Sequence, residues 1–266
     1  MVDNYWDWVI VDHYALDYRW ETCLRKVAKK IMVIDDLADR LHDCDVLLDQ
    51  NYYLDMSHRY QDKVPEKCEL LLGPRYALLR EEFRQLREHI KPRDGKVRRI
   101  LVFFGGIDAD NYTGQTIQAL TELDIKHIAV DVVIGAQHPF KIAIEKTCND
   151  AGFTCHIQTN RMAELMVAAD LGIGAGGSAT WERCCLGLPA LVVAVAENQV
   201  KIIHDLVRID LILMLQNVHA LFSHDIVRHI LELLSRPDKI KSMSQSGFKL
   251  IDGNGAKRII DQIKSQ

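Results

Sequence analysis

The sequence predicts an α/β protein built as two Rossmann-like domains, and three observations carry that prediction. Short apolar runs alternate in order with helical stretches, the pattern of a parallel sheet covered by its crossover helices. Two of those runs lead directly into glycine-rich turns, in Leu101–Asn111 (LVFFGGIDADN) and Leu171–Pro189 (LGIGAGGSATWERCCLGLP). The chain has 266 residues, 48% of them hydrophobic, enough to fill two ordinary cores where a domain takes about 100–150 residues.

In the first half, Trp8–Val11, Ile31–Ile34 and Val46–Leu48 read as buried strands, with a helix over Trp20–Lys30 (WETCLRKVAKK) between the first two. A helix over Ala77–His89 follows. The basic stretch Lys91–Arg99 (KPRDGKVRR) contains Pro and Gly, so Lys91–Lys96 reads as a solvated linker and hinge. The domains are accordingly placed at 1–95 and 96–266. The second half opens with the strand Ile100–Phe104 and the loop Gly105–Asn111, then a helix over Thr113–Leu123 and a strand over His127–Ile134. A helix near Pro139–Ala151, strand Thr154–Ile157, helix Arg161–Ala168, strand Leu171–Ile173, helix Ser178–Leu186 and strand Ala190–Val195 complete it. That series reads as a full doubly wound domain. The first half supplies only about three strands, too few for a well-covered parallel sheet, so the first domain reads as incomplete.

Composition excludes several function classes. A formal net charge of −4 gives no reason to expect a nucleic-acid or anionic-membrane partner, both of which favour clustered Lys and Arg. Seven cysteines at irregular positions make no disulfide framework and no CxxC metal pair. Cys184 and Cys185 sit in an apolar helical context and read as buried small hydrophobes. No apolar run reaches the ~18–20 residues that span a bilayer, and the acidic start MVDNYWDW lacks a basic leader region. The expectation is a cytoplasmic monomer.

Chemistry concentrates at strand ends. Gly105 and Gly106 follow a buried strand, where glycines serve either a tight turn or close approach of backbone to a phosphate. Asp108 and Asn111 read first as caps of the next helix. In the second loop Gly174, Gly176, Gly177 and Ser178 lie between a strand and a helix start, so backbone amides and the Ser178 and Thr180 hydroxyls would face a diphosphate. Glu182 either complements the helix dipole or accepts hydrogen bonds from ribose. Asn198 and Gln199 follow the next strand, as sugar or phosphate contacts or as ordinary loop amides. In the first half, Asp12, His13 and Tyr14 end one strand, and Asp35 and Asp36 end another, the aspartates reading first as caps and structural acceptors.

Together VDHYALD, VIDDLADRLHDCDVLLDQN, LLGPRYALLREEF, FFGGIDADN, GAGGSATWERCCLGLPALVV and ENQ resemble, in order and over nearly the whole chain, the UDP-2,4-diacetamido-2,4,6-trideoxy-β-L-altropyranose hydrolases of pseudaminic acid biosynthesis. The resemblance implies a glycosyltransferase-B architecture. It also implies water attack at the anomeric carbon, release of UDP and the free sugar, and no required metal or other cofactor. It implies further that Tyr14 lines the sugar site and Asn198 contacts substrate. Gly105 and Gly106 would approach the diphosphate, Ser178, Thr180 and Glu182 would hold phosphate and ribose, and Tyr76 and Arg80 to Glu82 would stand near the cleft.

One departure matters for mechanism. Members of that family begin with a strand and a GxGH loop whose His is the proposed base, and this sequence shows no such loop. The missing piece would be on the order of 80 residues, as two or three βα units require, so the chain is expected to be a fragment or to start internally. His13 is the histidine at a rim position and the substitute candidate for the base. Three functions stay open: a UDP-sugar hydrolase, a glycosyltransferase of the same architecture, and a non-catalytic UDP-binding fragment.

Overall fold

A computed structural model describes residues 5–123, 125–216 and 219–265. The chain divides into two compact units, Met1–Leu78 with Asn254–Gln266, and Leu79–Gly253. The expected division at 95/96 therefore moves. Residues 79–95 pack into the second unit, and the last helix belongs to the first.

The first unit holds β1 (Trp6–Val11), α1 (Tyr18–Leu24), β2 (Ala28–Ile34), β3 (Val46–Asp49) and β4 (Glu69–Leu72) in one parallel sheet of order β1-β2-β3-β4. β3 is buried throughout, as a central parallel strand must be. Helix α1 starts at Asp17, whose carboxylate accepts from Arg19 N, and it ends at Leu24, well short of the expected Lys30. Val27 N closes a turn on Leu24 O, and the Arg25 guanidinium is held by Asp43 and Asp45. Lys29 and Lys30 already belong to β2. The strand β4 was not anticipated. It pairs with β3 in the register Val46↔Glu69 to Asp49↔Leu72.

In the second unit, α2 (Glu81–Arg87) is shorter than the predicted Ala77–His89, because Pro74–Tyr76 form a separate 3-10 turn and Ala77 leaves it extended (ψ 126°). The alternation then continues with β5 (Arg99–Phe103), α3 (Tyr112–Thr121), β6 (Ala129–Ile134), α4 (Lys141–Ala151), β7 (Thr154–Ile157), α5 (Met162–Ala168) and β8 (Leu171–Ala175). It closes with α6 (Ala179–Cys185), β9 (Ala190–Val193), α7 (Glu197–Arg208), β10 (Leu213–Met214), α8 (His219–Ser235) and α9 (Pro237–Leu250). The sheet is parallel with order β10-β9-β8-β5-β6-β7. From β5 the chain builds outward through β6 and β7, then returns to the other side of β5 to lay down β8. That reversal makes β5 and β8 a topological switch point, outside whose carboxyl ends open α/β sheets bind ligands. Ile100, Val102, Ile117, Val132, Ile173, Leu191, Phe222 and Ile230 form the core of this unit.

The predicted solvated hinge is corrected at its centre. Arg93 is buried, and its guanidinium donates to the carbonyls of Met166, Ala169 and Leu186, while its backbone N–H donates to Ser244 Oγ at 2.8 Å. The segment is a clamp within the second unit. The final helix, α10 (Gly255–Ser265), joins the first unit, where Ile259 and Ile263 pack with Met32, Val46, Leu48 and Leu71.

Candidate functional site

Two loops leave the carboxyl ends of the neighbouring strands β5 and β8, which run in register up to Phe103↔Gly174. In the first, Gly105 adopts φ +105°, which a side chain would strain, and a Cβ on either Gly105 or Gly106 would meet nothing within 4 Å. Gly106 O accepts from Gly135 N at 3.1 Å, and a Cβ at Gly135 would strike that oxygen, so the end of β6 is pressed against the loop. The capping expected of Asp108 and Asn111 is present. Asp108 accepts from Tyr112 N and Thr113 N at 3.0 and 2.7 Å, and Asn111 from Gly114 N at 3.1 Å. The buried His138 accepts at Nδ1 from Phe140 N, which leaves Nε2 facing Asp108 at 3.5 Å.

The second loop is Gly176–Ser178. Gly174 and Gly176, which the sequence places in the stretch between strand and helix, are required by packing: a Cβ would sit 2.1 Å from Phe103 O at the first and 2.4 Å from Ile203 Cδ1 at the second. Gly177 and Ser178 reach the surface, and Ser178 Oγ makes no capping bond. Thr180 is corrected. Its side chain is buried, with Oγ1 accepting from Arg183 Nη2 at 3.0 Å, so the hydroxyl does not face outward. Glu182 is half-buried and 3.7 Å from Arg80, and burial raises its carboxyl above the usual range, with Arg80 opposing. Asn198 and Gln199 lie in the first turn of α7 rather than in a loop. Asn198 is exposed, whereas Gln199 accepts from Val195 N at 3.0 Å and sets its Nε2 beside Gly177. The structure thus brings Gly177, Ser178 and Gln199 together.

In the first unit, Asp12, Tyr14, Asp35, Asp36, Gln50 and Leu78 line a small recess at the carboxyl ends of the strands. The Tyr14 hydroxyl donates to Asp36, and burial followed by that neighbouring acid raises its pKa. Burial likewise raises Asp36. Asp35 behaves as the structural acceptor expected of it, taking bonds from Ala38 N and Tyr60 Oη and pairing with Arg40 at 2.8 Å. Behind them Asp49, 2% exposed, meets Tyr60 Oη and Arg59, and burial pushes its carboxyl up to about 6. His13 does not line the recess; it is exposed, and its Nδ1 accepts from Ala15 N at 3.0 Å.

Gln50, Asp49 and Arg183 were missed by sequence reasoning. VLLDQ does place two polar groups straight after a buried strand, a signal that could have flagged the first two. Among the described residues no cluster of three or more His, Cys, Asp or Glu side chains could hold a metal ion, and no helix is long and apolar enough to cross a membrane.

Comparison with known proteins bears on this geometry. Residues 99–263 match the family described as the glycosyltransferase family 28 C-terminal domain. The spore coat polysaccharide biosynthesis protein SpsG of Bacillus subtilis is 28% identical over 189 residues, 70% of this chain and 56% of that protein. The UDP-2,4-diacetamido-2,4,6-trideoxy-β-L-altropyranose hydrolase of Campylobacter jejuni is 35% identical over 122 residues, 46% of this chain and 43% of that one. The chain spans about half the length of these curated relatives. Among solved structures, MurG of Acinetobacter baumannii aligns with a TM-score of 0.66 at 15% identity, covering 98% of this chain and 74% of that chain. The fold class is therefore α/β with Rossmann-like units of the glycosyltransferase-B type. Since the family match covers more than half of the chain and runs through both glycine loops at the switch point, the protein belongs to the glycosyltransferase family 28 C-terminal domain family.

Proposed function

We propose that the chain acts on a UDP-sugar and that its reaction is hydrolysis of UDP-2,4-diacetamido-2,4,6-trideoxy-β-L-altropyranose, releasing UDP and the free sugar. The observation that carries the UDP half is the pairing of two open glycine turns, at Gly105–Gly106 and Gly177–Ser178, on adjacent strands where the sheet reverses direction. In this reading both turns bind the diphosphate, Glu182 accepts from ribose hydroxyls, and Gln199 and Asn198 contact substrate from the first turn of α7. Tyr14, which lines the recess, is assigned to the sugar, and His13, exposed and outside the recess, is the candidate base that activates water, a role commonly contributing ~100–10,000-fold in rate. The choice of sugar and of water as acceptor rests on the likeness to the Campylobacter hydrolase. No cofactor is invoked, and the protein is taken as a cytoplasmic monomer without a nucleic-acid or membrane partner.

Incubating the protein with that UDP-sugar in water and measuring UDP release tests the reading, and steady release without an added acceptor is expected. The family match favours a second reading, transfer to an acceptor. Release that requires an added sugar or lipid acceptor would decide for it. Binding of UDP with no release under either condition would leave a nucleotide-binding protein and overturn both enzymatic readings.

A further inference from the structure

Under the second glycine loop lies a buried cation that makes no direct ion pair. Arg183 is 3% exposed, and its side chain runs beneath β8 in the space two glycines leave. A Cβ at Gly172 would come within 3.2 Å of its Cδ, and one at Gly174 within 3.1 Å of its Nη1. Nη2 donates to Ala175 O at 2.8 Å and to Thr180 Oγ1 at 3.0 Å, the two residues that bracket Gly176–Ala179. Nε has no hydrogen-bond partner. The adjacent carboxylate, Glu182, pairs with Arg80 and acts on Arg183 only through its field, and among the described residues no acid forms a direct ion pair with Arg183.

Burial lowers its pKa to about 10, which still leaves the guanidinium protonated at neutral pH. Such an arrangement is costly, because a buried charge is tolerated only when an opposite charge or a full set of hydrogen bonds matches it. An apolar side chain of similar length would fill the same channel without that cost. Helix α6, at seven residues, is barely two turns long, so its dipole adds little to the full charge that Arg183 carries.

Resting on the reading of this loop as a UDP site, we propose that Arg183 is the positioning residue through which the protein recognises the diphosphate. It braces both ends of Gly176–Ala179 from below, and its charge, offset by the field of Glu182 alone, is matched more fully when an anionic nucleotide lies on the loop. Arg183 does not touch the ligand. It acts through the backbone it holds and through its field, which is strong in a low-dielectric interior.

Calorimetric titration of wild type, R183M, R183Q and R183K with UDP and with uridine tests this, with circular dichroism confirming the fold of each. Wild type should prefer UDP. In R183M the UDP affinity should fall by about tenfold or more while uridine affinity stays unchanged. The unliganded R183M protein should melt close to wild type, since removing a buried charge that has no direct ion pair offsets the loss of its bonds to Ala175 O and Thr180 Oγ1. R183K, which keeps the charge and loses the fork, should fall between, and R183Q serves where R183M does not fold. Equal weakening of UDP and uridine, or a retained preference for UDP in a folded R183M or R183Q, overturns the assignment of Arg183. Wild type that binds UDP no better than uridine overturns the loop reading itself and the proposal with it.

Discussion

Asp49 shows how a single carboxyl can be set by its surroundings. Its pKa is pushed up to about 6 chiefly by burial, against the bonds from Asn51 N and Tyr60 and the charge of Arg59, all of which lower it. A carboxyl raised on folding binds more protons in the native state than in the unfolded one between pH ~4 and ~6. It therefore favours folding below that window and loses the advantage as the pH rises through it. The stability of the first unit in wild type should fall relative to D49N by on the order of 2–3 kcal/mol between pH 4 and pH 7. Chemical denaturation at both pH values, followed by Tyr60 fluorescence or amide exchange in β3, measures it; parallel profiles would refute the assignment. A second residue-scale prediction concerns Gly174. G174A would place a methyl 2.1 Å from Phe103 O, a backbone atom that cannot yield, with Arg183 behind it. A loss of about 3 kcal/mol or more is expected in urea titration of the second unit. At this scale the sequence was partly legible. Gly105 and Gly177 could be picked out as turn positions, because glycine directly after a buried strand marks either a tight turn or a close backbone approach. Thr180 was misassigned and the packing role of Gly174 went unread, because which way a hydroxyl or a missing Cβ faces depends on side-chain packing and strand pairing, here against Arg183 and Phe103.

At the scale of elements, short apolar runs located most strands of the second unit within two residues, since a buried parallel strand has no polar face to blur it. Helix ends were less legible. The run Trp20–Lys30 looks helical by composition, yet Lys29 and Lys30 are drawn into β2 by pairing with β1, which no local pattern reveals. The stretch KPRDGK was illegible for a related reason: Arg93 is satisfied by carbonyls 73 to 93 residues away. That clamp ties α5 and α6 to the segment before β5, which gives it a testable weight. R93M would leave the carbonyls of Met166, Ala169 and Leu186 without that donor while filling the same space. A cost of about 3 kcal/mol or more to the second unit is expected, read as a lowered urea midpoint with unchanged slope. A variant as stable as wild type would return the segment to the role of a passive linker.

At the scale of the whole molecule, the chain ends in the unit where it began. Helix α10 lays Ile259 and Ile263 on Met32, Val46, Leu48 and Leu71, and Arg258 Nη1 donates to Arg75 O at 2.9 Å. Gly255 is fitted so closely to the chain at Tyr76 and Ala77 that a Cβ would lie 2.2 Å from Ala77 O. The sequence division at 95/96 missed this return, because a composition shift marks where a linker runs and cannot tell which sheet a distant amphipathic helix will cover. The consequence is that the two units should respond differently to removal of residues 254–266. The buried Ile259 contributes roughly 1.5–3 kcal/mol and the half-buried Ile263 less, together a large share of the stability of a four-stranded unit. Amide exchange should therefore accelerate by tenfold or more in β2, β3 and β4 of the truncated protein, while β5, β6 and β8 keep their protection. The UDP affinity proposed for the second unit should survive the truncation. Uniform acceleration across both sheets would show that α10 supports the whole chain as one cooperative body, and unchanged exchange in β2 to β4 would show that the helix contributes nothing to the sheet it covers.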